Sequence, residues 1–314
     1  MSRHILIDGG QSGCRIVYAV DGKRVLAGDA AGLGRRDPAP TDGILRVLEQ
    51  AFEDLAPRIP DAFDVVVAGL TGYDGSRETA RAIADGVRTR VRTARVVVTT
   101  DAVTSYLGAI GIEPGAVVAA GTGVIALAGD SEGSVARSDG WGYILGDDGG
   151  GYYIGRRGLA SALRAHDGRG GSEALLRRAK EMFGAPESLK DYIYTSSNPA
   201  GEVARFAREV AEAAREGDVA ATEIWAVAAR EVAQTAAAAL DRVFTPDTSV
   251  TVSWTGNLFD ARDLMLQPFQ RHVTVMWPKA RLLAPKGTAL DGAELLACSS
   301  PPPMFEGLLH VFES

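Results

Sequence analysis

The chain has 314 residues, a formal net charge of −7, 46% hydrophobic residues and 23% charged residues. This length exceeds the size at which one hydrophobic core usually keeps growing, so we expect two domains. The acidic balance and the lack of a Lys/Arg run argue against nucleic acid or an anionic membrane as a main partner. No apolar run reaches the roughly 18 residues of a membrane span. The N-terminus has no secretion signal, so we expect a cytoplasmic protein.

The first part of the chain predicts a mixed sheet with helices packed on it. A meander of strands comes first, and apolar strands then alternate with helical periods. The predicted strands are 5–7, 14–20, 23–31, 64–70 and 95–99, and the predicted helices are 41–56, 76–91 and 102–110. A continuous apolar run such as 64–70 is typical of a strand covered by helices on both faces.

The pattern then restarts with a second meander. Predicted strands are 116–120, 124–129, 134–138, 249–254 and 272–276, and predicted helices are 155–165, 172–183, 189–194, 202–215, 219–244 and 287–297. Each half therefore begins with a meander that carries a glycine turn after its first strand. This duplicated order predicts an α/β fold of two domains, each a mixed sheet flanked by helices. The tail 299–314 receives no assignment.

Two cysteines lie far apart in the chain, at Cys14 and Cys298. Cys14 falls in a strand pattern and Cys298 follows an Ala/Leu-rich helix, so we expect both to be small buried side chains. Neither fits a zinc, iron–sulfur or disulfide framework.

Two glycine-rich turns are candidate phosphate sites. The segment Gly9-Gly10-Gln11-Ser12-Gly13 follows the first strand, and Gly121-Thr122-Gly123 follows the first strand of the second meander. Backbone N–H groups of such turns can approach an anion closely, because glycine has no Cβ. Two such turns predict a nucleotide held between two domains. For the first turn, an ordinary hairpin capped by Asp8 is an equally good interpretation.

A third segment, 139–150, combines an aromatic ring, carboxylates and glycines in the order DGWGYILGDDGG. A sugar site needs an aromatic surface against C–H faces and carboxylates that accept hydroxyl protons. The run resembles the GWG…GDEGS segment of N-acetylglucosamine kinases. With the two turns, the chain resembles these kinases and the related BadF/BadG-type ATPases over nearly its whole length. The resemblance implies the two-domain actin-like ATPase fold, which is ribonuclease H-like.

The resemblance also implies a nucleotide site for ATP. Asp8 ends a strand, where a carboxylate can hold Mg²⁺ through water. Arg15 would replace the cationic residue that the family has in its first phosphate motif. The implied nucleotide contacts are Gly9, Gly10, Gln11, Ser12, Gly13, Arg15, Gly121, Thr122, Gly123, Thr255, Gly256 and Asn257. Thr255 stands where the family has the first glycine of a pair that packs on adenosine.

Asp101 follows the apolar strand 95–99 and begins a helix. One interpretation is helix N-capping, for which aspartate is well suited. The other is a general base, because VTTDAVTS resembles the catalytic segment of the kinases. The two interpretations are compatible, since a strand end that opens a helix faces the ligand-binding edge of an α/β sheet.

The acceptor site is implied by further matches to the family. Its residues would be Thr71, Gly72, Asp101, Gly140, Trp141, Gly142 and Asp147. A structural alternative is that Trp141 merely fills the core. The family asparagine after the third strand is missing here, and Arg36 or Asp37 would take its place. Tyr73 adds bulk to the loop that begins at Thr71, so the acceptor can differ from N-acetylglucosamine.

Together these features predict a kinase that uses ATP and Mg²⁺ to phosphorylate an amino sugar at O6, such as N-acetylglucosamine, glucosamine or a related hexose. One alternative is a BadF-type conformational switch, although such proteins use cysteine-ligated iron–sulfur clusters. Another is a binding protein that has lost turnover. The expected domains are 1–110, joined by the C-terminal segment 287–314, and 111–286. We expect a homodimer with no nucleic-acid or membrane partner.

Overall fold

The computed structural model describes residues 1–10, 13–33, 40–55 and 58–314. The strands are β1 Arg3–Gly9, β2 Gly13–Val20, β3 Lys23–Ala31, β4 Ala62–Leu70, β5 Arg92–Thr99, β6 Gly115–Ala120, β7 Val124–Gly129, β8 Val135–Asp139, β9 Thr251–Thr255, β10 Arg281–Leu282 and β11 His310–Glu313. The helices are α1 Pro40–Leu55, α2 Arg77–Arg88, α3 Asp101–Ile110, α4 Gly151–His166, α5 Glu173–Phe183, α6 Pro186–Thr195, α7 Pro199–Arg205, α8 Ala207–Arg215, α9 Val219–Asp241, α10 Gln267–Met276 and α11 Ala289–Cys298.

The chain divides into two compact units. The first contains Met1–Val117, Gly129–Val135 and Leu283–Ser314, and the second contains Val118–Ala128 and Ala136–Leu282. The predicted boundaries, 1–110 with 287–314 and 111–286, stay a prediction about independently stable domains, which limited proteolysis would test. No helix of the described residues is long and apolar enough to cross a membrane.

The first unit is built on a six-stranded sheet with the order β11-β5-β4-β1-β2-β3. Strands β1, β4 and β5 are parallel, whereas β2, β3 and β11 run antiparallel to their neighbours. Helices α1 and α2 pack together beside the sheet, and α3 and α11 form a second pair that contacts β1 and β4. Because side chains alternate along a strand, His4, Leu6 and Asp8 share one face of β1. Ile5 and Ile7 lie in the buried core with α1 and α2.

The second unit contains most of a five-stranded sheet with the order β10-β9-β6-β7-β8. Helices α4 to α10 belong to the same unit, and α9 is its longest, with 23 residues. Asp218 caps α9 by accepting a hydrogen bond from the backbone N–H of Ala221 at 2.8 Å. Alanines account for many of its buried positions, which lets neighbouring helices pack closely around it.

The structure corrects three predictions. The predicted strand 272–276 is the end of α10, because Phe269 and Val273 lie one turn apart and are both fully buried, so helix packing overrides the strand propensity of its β-branched residues. The predicted helix 202–215 is two helices, α7 and α8, which meet at Phe206. Cys298 is exposed rather than buried, whereas Cys14 is buried as predicted.

Candidate functional site

Asp8 and Asp101 meet at one edge of the first sheet. The parallel strands β1, β4 and β5 end level with one another, since Gly9 pairs with Leu70 and Gly69 pairs with Thr99. The chain leaves this edge into the glycine turn after β1, the loop at Thr71 and helix α3. The backbone N–H of Thr71 donates to the carbonyl of Gly9 at 2.7 Å, which fixes this loop beside β1. Ligands of α/β folds bind at this kind of edge.

The charge of Asp8 influences the protonation of Asp101. Burial, followed by the negative charge of Asp8, raises the pKa of Asp101 to about 6. Hydrogen bonds from the Ala102 backbone N–H and the Thr71 hydroxyl oppose that rise by stabilising the carboxylate. Burial also raises the pKa of Asp8, and the guanidinium of Arg15 partly offsets the effect. A raised pKa with specific partners at a strand edge is typical of a functional site.

Helix α3 begins at Asp101 itself. Thr100 occupies the N-cap position with extended backbone angles and makes no side-chain cap. The N-cap interpretation of Asp101 is therefore wrong by one position. As the first helical residue, Asp101 places its carboxylate at the positive end of the helix dipole. The carboxylate thus combines burial, which favours protonation, with a helix end that favours ionisation.

Glycines at close contacts hold helix α3 in place. A Cβ at Gly69 would overlap the Thr104 side chain, and one at Gly108 would overlap the backbone of Thr288, which precedes α11. A Cβ at Gly292 on α11 would similarly overlap the carbonyl of Thr104. Helix α3 is therefore fixed against both β4 and α11, and Asp101 is fixed with it. The sequence signal was present as glycines inside helical patterns, but it does not tell which surface they approach.

Tyr73 is buried in the core and does not add bulk to the surface of its loop, contrary to the expectation from the sequence. Its ring is buried and lies edge-on to His310, with centroids 6.3 Å apart. Its hydroxyl donates to the carbonyl of Ser76 at 2.9 Å. Gly72 adopts a φ of 73°, which turns the chain between Thr71 and Tyr73. Thr71 faces Asp101 while Tyr73 anchors the loop in the core.

The start of helix α4 contacts the turn Gly121–Gly123 through the backbone. The backbone N–H of Gly151, the first residue of α4, donates to the carbonyl of Gly121 at 2.8 Å, and that of Tyr152 donates to the carbonyl of Thr122 at 3.0 Å. A Cβ at Gly150 would lie 2.8 Å from the carbonyl oxygen of Thr122. The glycine run before α4 is thus needed for backbone-to-backbone contact with this turn.

The predicted adenosine motif lies beside the same turn. Gly256 has a φ of 98°, and a Cβ there would overlap the backbone of Ala120, so β6 and β9 end at one edge of their sheet. The Asn257 side-chain oxygen lies 3.9 Å from the position of a Cβ built on Gly121. The structure therefore brings Gly121, Thr122 and Gly123 together with Thr255, Gly256 and Asn257.

The segment 139–147 forms a loop closed at its base by Asp139. The Asp139 carboxylate accepts a hydrogen bond from the backbone N–H of Asp147 at 2.8 Å. Both aspartates have positive φ, 61° and 62°, a backbone strain that is typical of functional loops. Asp147 is buried, and its carboxylate carbon lies 2.6 Å from where a Cβ of Gly123 would stand. Asp139 was missed from the sequence, where Asp139-Gly140 reads only as turn chemistry.

Trp141 lies on the surface of this loop with 62% of its area exposed, so the alternative of a core-filling side chain is wrong. The guanidinium of Arg137 stacks over its ring at 4.5 Å. Gly140 and Gly142 flank it with φ of 76° and 87°, conformations that favour glycine. An exposed indole in a glycine-framed loop next to a buried carboxylate is an arrangement that can contact a sugar ring and its hydroxyls.

In the first glycine turn, Gly10 donates from its backbone N–H to the carbonyl of Gly13 at 2.9 Å. Arg15 is exposed and lies opposite Asp8 on the adjacent strand. Gln11, Ser12, Arg36 and Asp37, predicted as nucleotide or acceptor contacts, lie outside the described residues.

The fold and motifs have known relatives. The chain is 26% identical over 298 residues to an N-acetylmuramic acid/N-acetylglucosamine kinase of Clostridium acetobutylicum, a match that covers 93% of this chain and 97% of that protein. A proposed N-acetylglucosamine kinase from Chromobacterium violaceum has a similar structure, with a TM-score of 0.75, 29% identity, and coverage of 95% of this chain and 99% of that one.

A ROK family glucokinase from Streptomyces griseus, solved with glucose and AMPPNP, shares the fold with a TM-score of 0.62 at 18% identity, covering 95% of this chain and 99% of that chain. The predicted two-domain α/β fold of the actin-like ATPase type is confirmed by these neighbours. The predicted family is confirmed as well, because the model of the BadF/BadG/BcrA/BcrD ATPase family matches residues 7–292. This protein therefore belongs to the BadF/BadG/BcrA/BcrD ATPase family.

Proposed function

We propose that this protein is an ATP-dependent kinase that transfers a phosphoryl group to the O6 hydroxyl of an amino sugar. The observation that carries the proposal is the carboxylate of Asp101, which is hydrogen-bonded by Thr71, lies near Asp8 and has a pKa raised to about 6. The named activities of the two relatives described above, each of which covers nearly the whole chain, support the choice of an amino sugar.

Asp101 would act as the general base. A group with a pKa near 6 is mostly ionised at neutral pH, yet it binds a proton better than an ordinary aspartate, which is favourable for taking the proton of a hydroxyl. The Thr71 hydroxyl orients the carboxylate, and the contact between α3 and α11 keeps it in place. The acceptor hydroxyl then attacks the γ-phosphate, and the catalysis consists mainly of positioning and charge neutralisation.

The residues around Asp8 fit a magnesium ion. Two carboxylates with raised pKa values lie near each other, and the guanidinium of Arg15 opposes the rise at Asp8. This surplus of negative charge suits a hard divalent cation, and Asp8 would hold it. When bound with ATP, Mg²⁺ neutralises charge on the phosphate oxygens.

The second unit would bind the phosphates and the acceptor. The N–H of Gly121 is used within the turn, where it donates to the carbonyl of Gly123 at 2.9 Å, so Thr122 and Gly123 are the better candidates for phosphate contacts. Asp147 packs against Gly123, which places the proposed sugar carboxylate beside the proposed phosphate turn. This proximity supports phosphoryl transfer to a bound sugar over a nucleotide-driven switch, for which a sugar site next to the turn has no use.

The test is ATP consumption by the purified protein with Mg²⁺ across N-acetylglucosamine, N-acetylmuramic acid, glucosamine and glucose, with product position read by NMR. We expect ADP release to depend on an amino sugar and the product to be a 6-phosphate. The 6-deoxy analogue of the best acceptor is the matched control and should give no product. Hydrolysis independent of sugar would instead support the conformational switch, and no consumption would support a binding protein. The same preparation tests the expected homodimer by light scattering.

A further inference from the structure

Three potential metal ligands meet on the first unit at a place that the proposed kinase reaction does not use. They are His4 on β1 and Glu294 and Cys298 on α11, and their ligand atoms all lie within 4.8 Å of one another. His4 Nδ1 is 3.0 Å from Glu294 Oε1, and Cys298 Sγ is 3.4 Å from the same oxygen. These are an imidazole, a carboxylate and a thiol, the ligand types that zinc prefers.

The fold explains why residues almost 300 positions apart come together. His4 lies on the face of β1 that packs against α11. Glu294 and Cys298 are four residues apart on a helix and therefore project from the same side of it. His4 is almost completely buried, Glu294 is partly buried and Cys298 reaches the surface. The cluster thus has a fixed inner ligand and an outer ligand that solvent can approach.

The spacing of the ligand atoms suits a tetrahedral ion. Zinc binds nitrogen and oxygen at about 2.0–2.2 Å and sulfur at about 2.3 Å, so neighbouring ligand atoms of a tetrahedral site lie about 3.3–3.6 Å apart. The observed separations of 3.0 and 3.4 Å need only small side-chain adjustments to reach these values.

Hydrogen bonding within the cluster is uneven. His4 and Cys298 both approach Oε1 of Glu294, whereas Oε2 is buried and has no hydrogen-bond partner among the described residues. A buried carboxylate oxygen without a partner is costly. Burial, followed by the neighbouring Glu294, raises the pKa of the Cys298 thiol, and Arg95 only partly offsets this rise, so a metal ion must displace the thiol proton when it binds.

We propose that His4, Glu294 and Cys298 form a binding site for a zinc-like divalent transition metal, with water as the fourth ligand. On binding, the Cys298 thiol releases its proton and the His4 imidazole binds through an unprotonated Nδ1. The glutamate and the thiolate together neutralise the ion. The bound ion ties the first strand to the last helix of the first unit.

The experiment uses untagged full-length protein titrated with Co²⁺, whose thiolate charge-transfer absorption reports directly on a Co–S bond. We expect one equivalent to bind with this absorption, and Zn²⁺ to displace it. The variant Cys298→Ser should lose the absorption and bind Co²⁺ at least about 100-fold more weakly. This loss of affinity is larger than the loss expected when a residue that only hydrogen-bonds to a metal ligand is removed. The matched control Cys14→Ala removes the other cysteine and should keep both.

A second measurement is independent of the spectrum. Saturating Zn²⁺ should raise the thermal midpoint of the wild type by at least about 3 °C and leave that of Cys298→Ser unchanged. The proposal fails if no thiolate absorption develops in the wild type, or if the absorption persists in Cys298→Ser. Neither readout depends on kinase activity, so failure here leaves the proposed function untouched.

Discussion

The Thr71 hydroxyl donates a hydrogen bond to the carboxylate of Asp101, and this contact joins the loop after β4 to the first turn of α3. Burial and the charge of Asp8 otherwise disfavour the ionised carboxylate, so Thr71 is one of the groups that stabilise the charged form which the proposed base requires. The relationship makes Thr71 a positioning residue whose role can be separated from that of Asp101.

Replacing Asp101 with asparagine should remove most of the turnover without preventing nucleotide binding. The substitution removes the proposed proton acceptor, a contribution of about 10²–10⁴ in rate, and leaves the shape of the side chain nearly unchanged. We expect kcat to fall within that range and the Kd for ATP, measured by calorimetry, to change little. Asp85→Asn, on the exposed surface of α2, is the control. Near-normal kcat in Asp101→Asn would rule out the general-base assignment.

The same substitution should stabilise the protein at neutral and alkaline pH. The pKa of Asp101 is raised from 3.8 to about 6, so the folded state holds the proton more tightly than the unfolded state does. Stability from this group is therefore complete below pH about 4 and is lost as pH rises through about 6. Asparagine carries no charge, so the variant does not lose this stability as the pH rises. We expect Asp101→Asn to be about 1–3 kcal/mol more stable at pH 8.

The measurement is chemical unfolding of both proteins at pH 8 and at the lowest pH where both fold reversibly. The difference in unfolding free energy should shrink toward the acidic end. A difference that is independent of pH would mean that the Asp101 charge is not the cause.

The pH dependence of kcat/KM should show an acidic limb near pH 6, with activity rising as Asp101 loses its proton. The Thr71 hydroxyl stabilises the charged form, so Thr71→Val should move this limb to higher pH. Thr71→Ser keeps the hydroxyl and should keep the wild-type limb. A merely structural role for Thr71 would lower the plateau in Thr71→Val without moving the limb, and that result would contradict the assignment.

A methyl group at Gly123 should damage the proposed contact between the phosphate turn and the acceptor loop. Its Cβ would stand 2.6 Å from the carboxylate carbon of Asp147, so one of the two segments must move. We expect Gly123→Ala to cost about 1–3 kcal/mol in stability and to lower kcat/KM for both ATP and the acceptor by at least about 10-fold. Gly307→Ala, where a Cβ meets no atom within 4 Å, is the control. Unchanged kinetics in Gly123→Ala would place Asp147 outside the reaction.

The local sequence pattern was enough to predict the type of most strands and helices and the places of the candidate site residues along the chain. The alternation of β1 to β3, the apolar run of β4 and the helical period of α1 depend on neighbours in sequence, so their types were predicted correctly. Residues 272–276 were misread as a strand because HVTVM contains three consecutive β-branched residues, Val273, Thr274 and Val275. Their helical state depends on the burial of Phe269 and Val273, which lies beyond local propensity.

By itself, the sequence determined that Asp8 lies at the end of a strand, that Asp101 closely follows another, and that glycine turns follow β1 and β6. These are local facts, set by side-chain period and by backbone conformations that only glycine adopts readily. The tertiary structure alone decided that Asp8 raises the pKa of Asp101, that Tyr73 turns into the core, and that His4 meets Glu294 and Cys298. Each of these depends on burial and on through-space distance between segments that chain order does not relate.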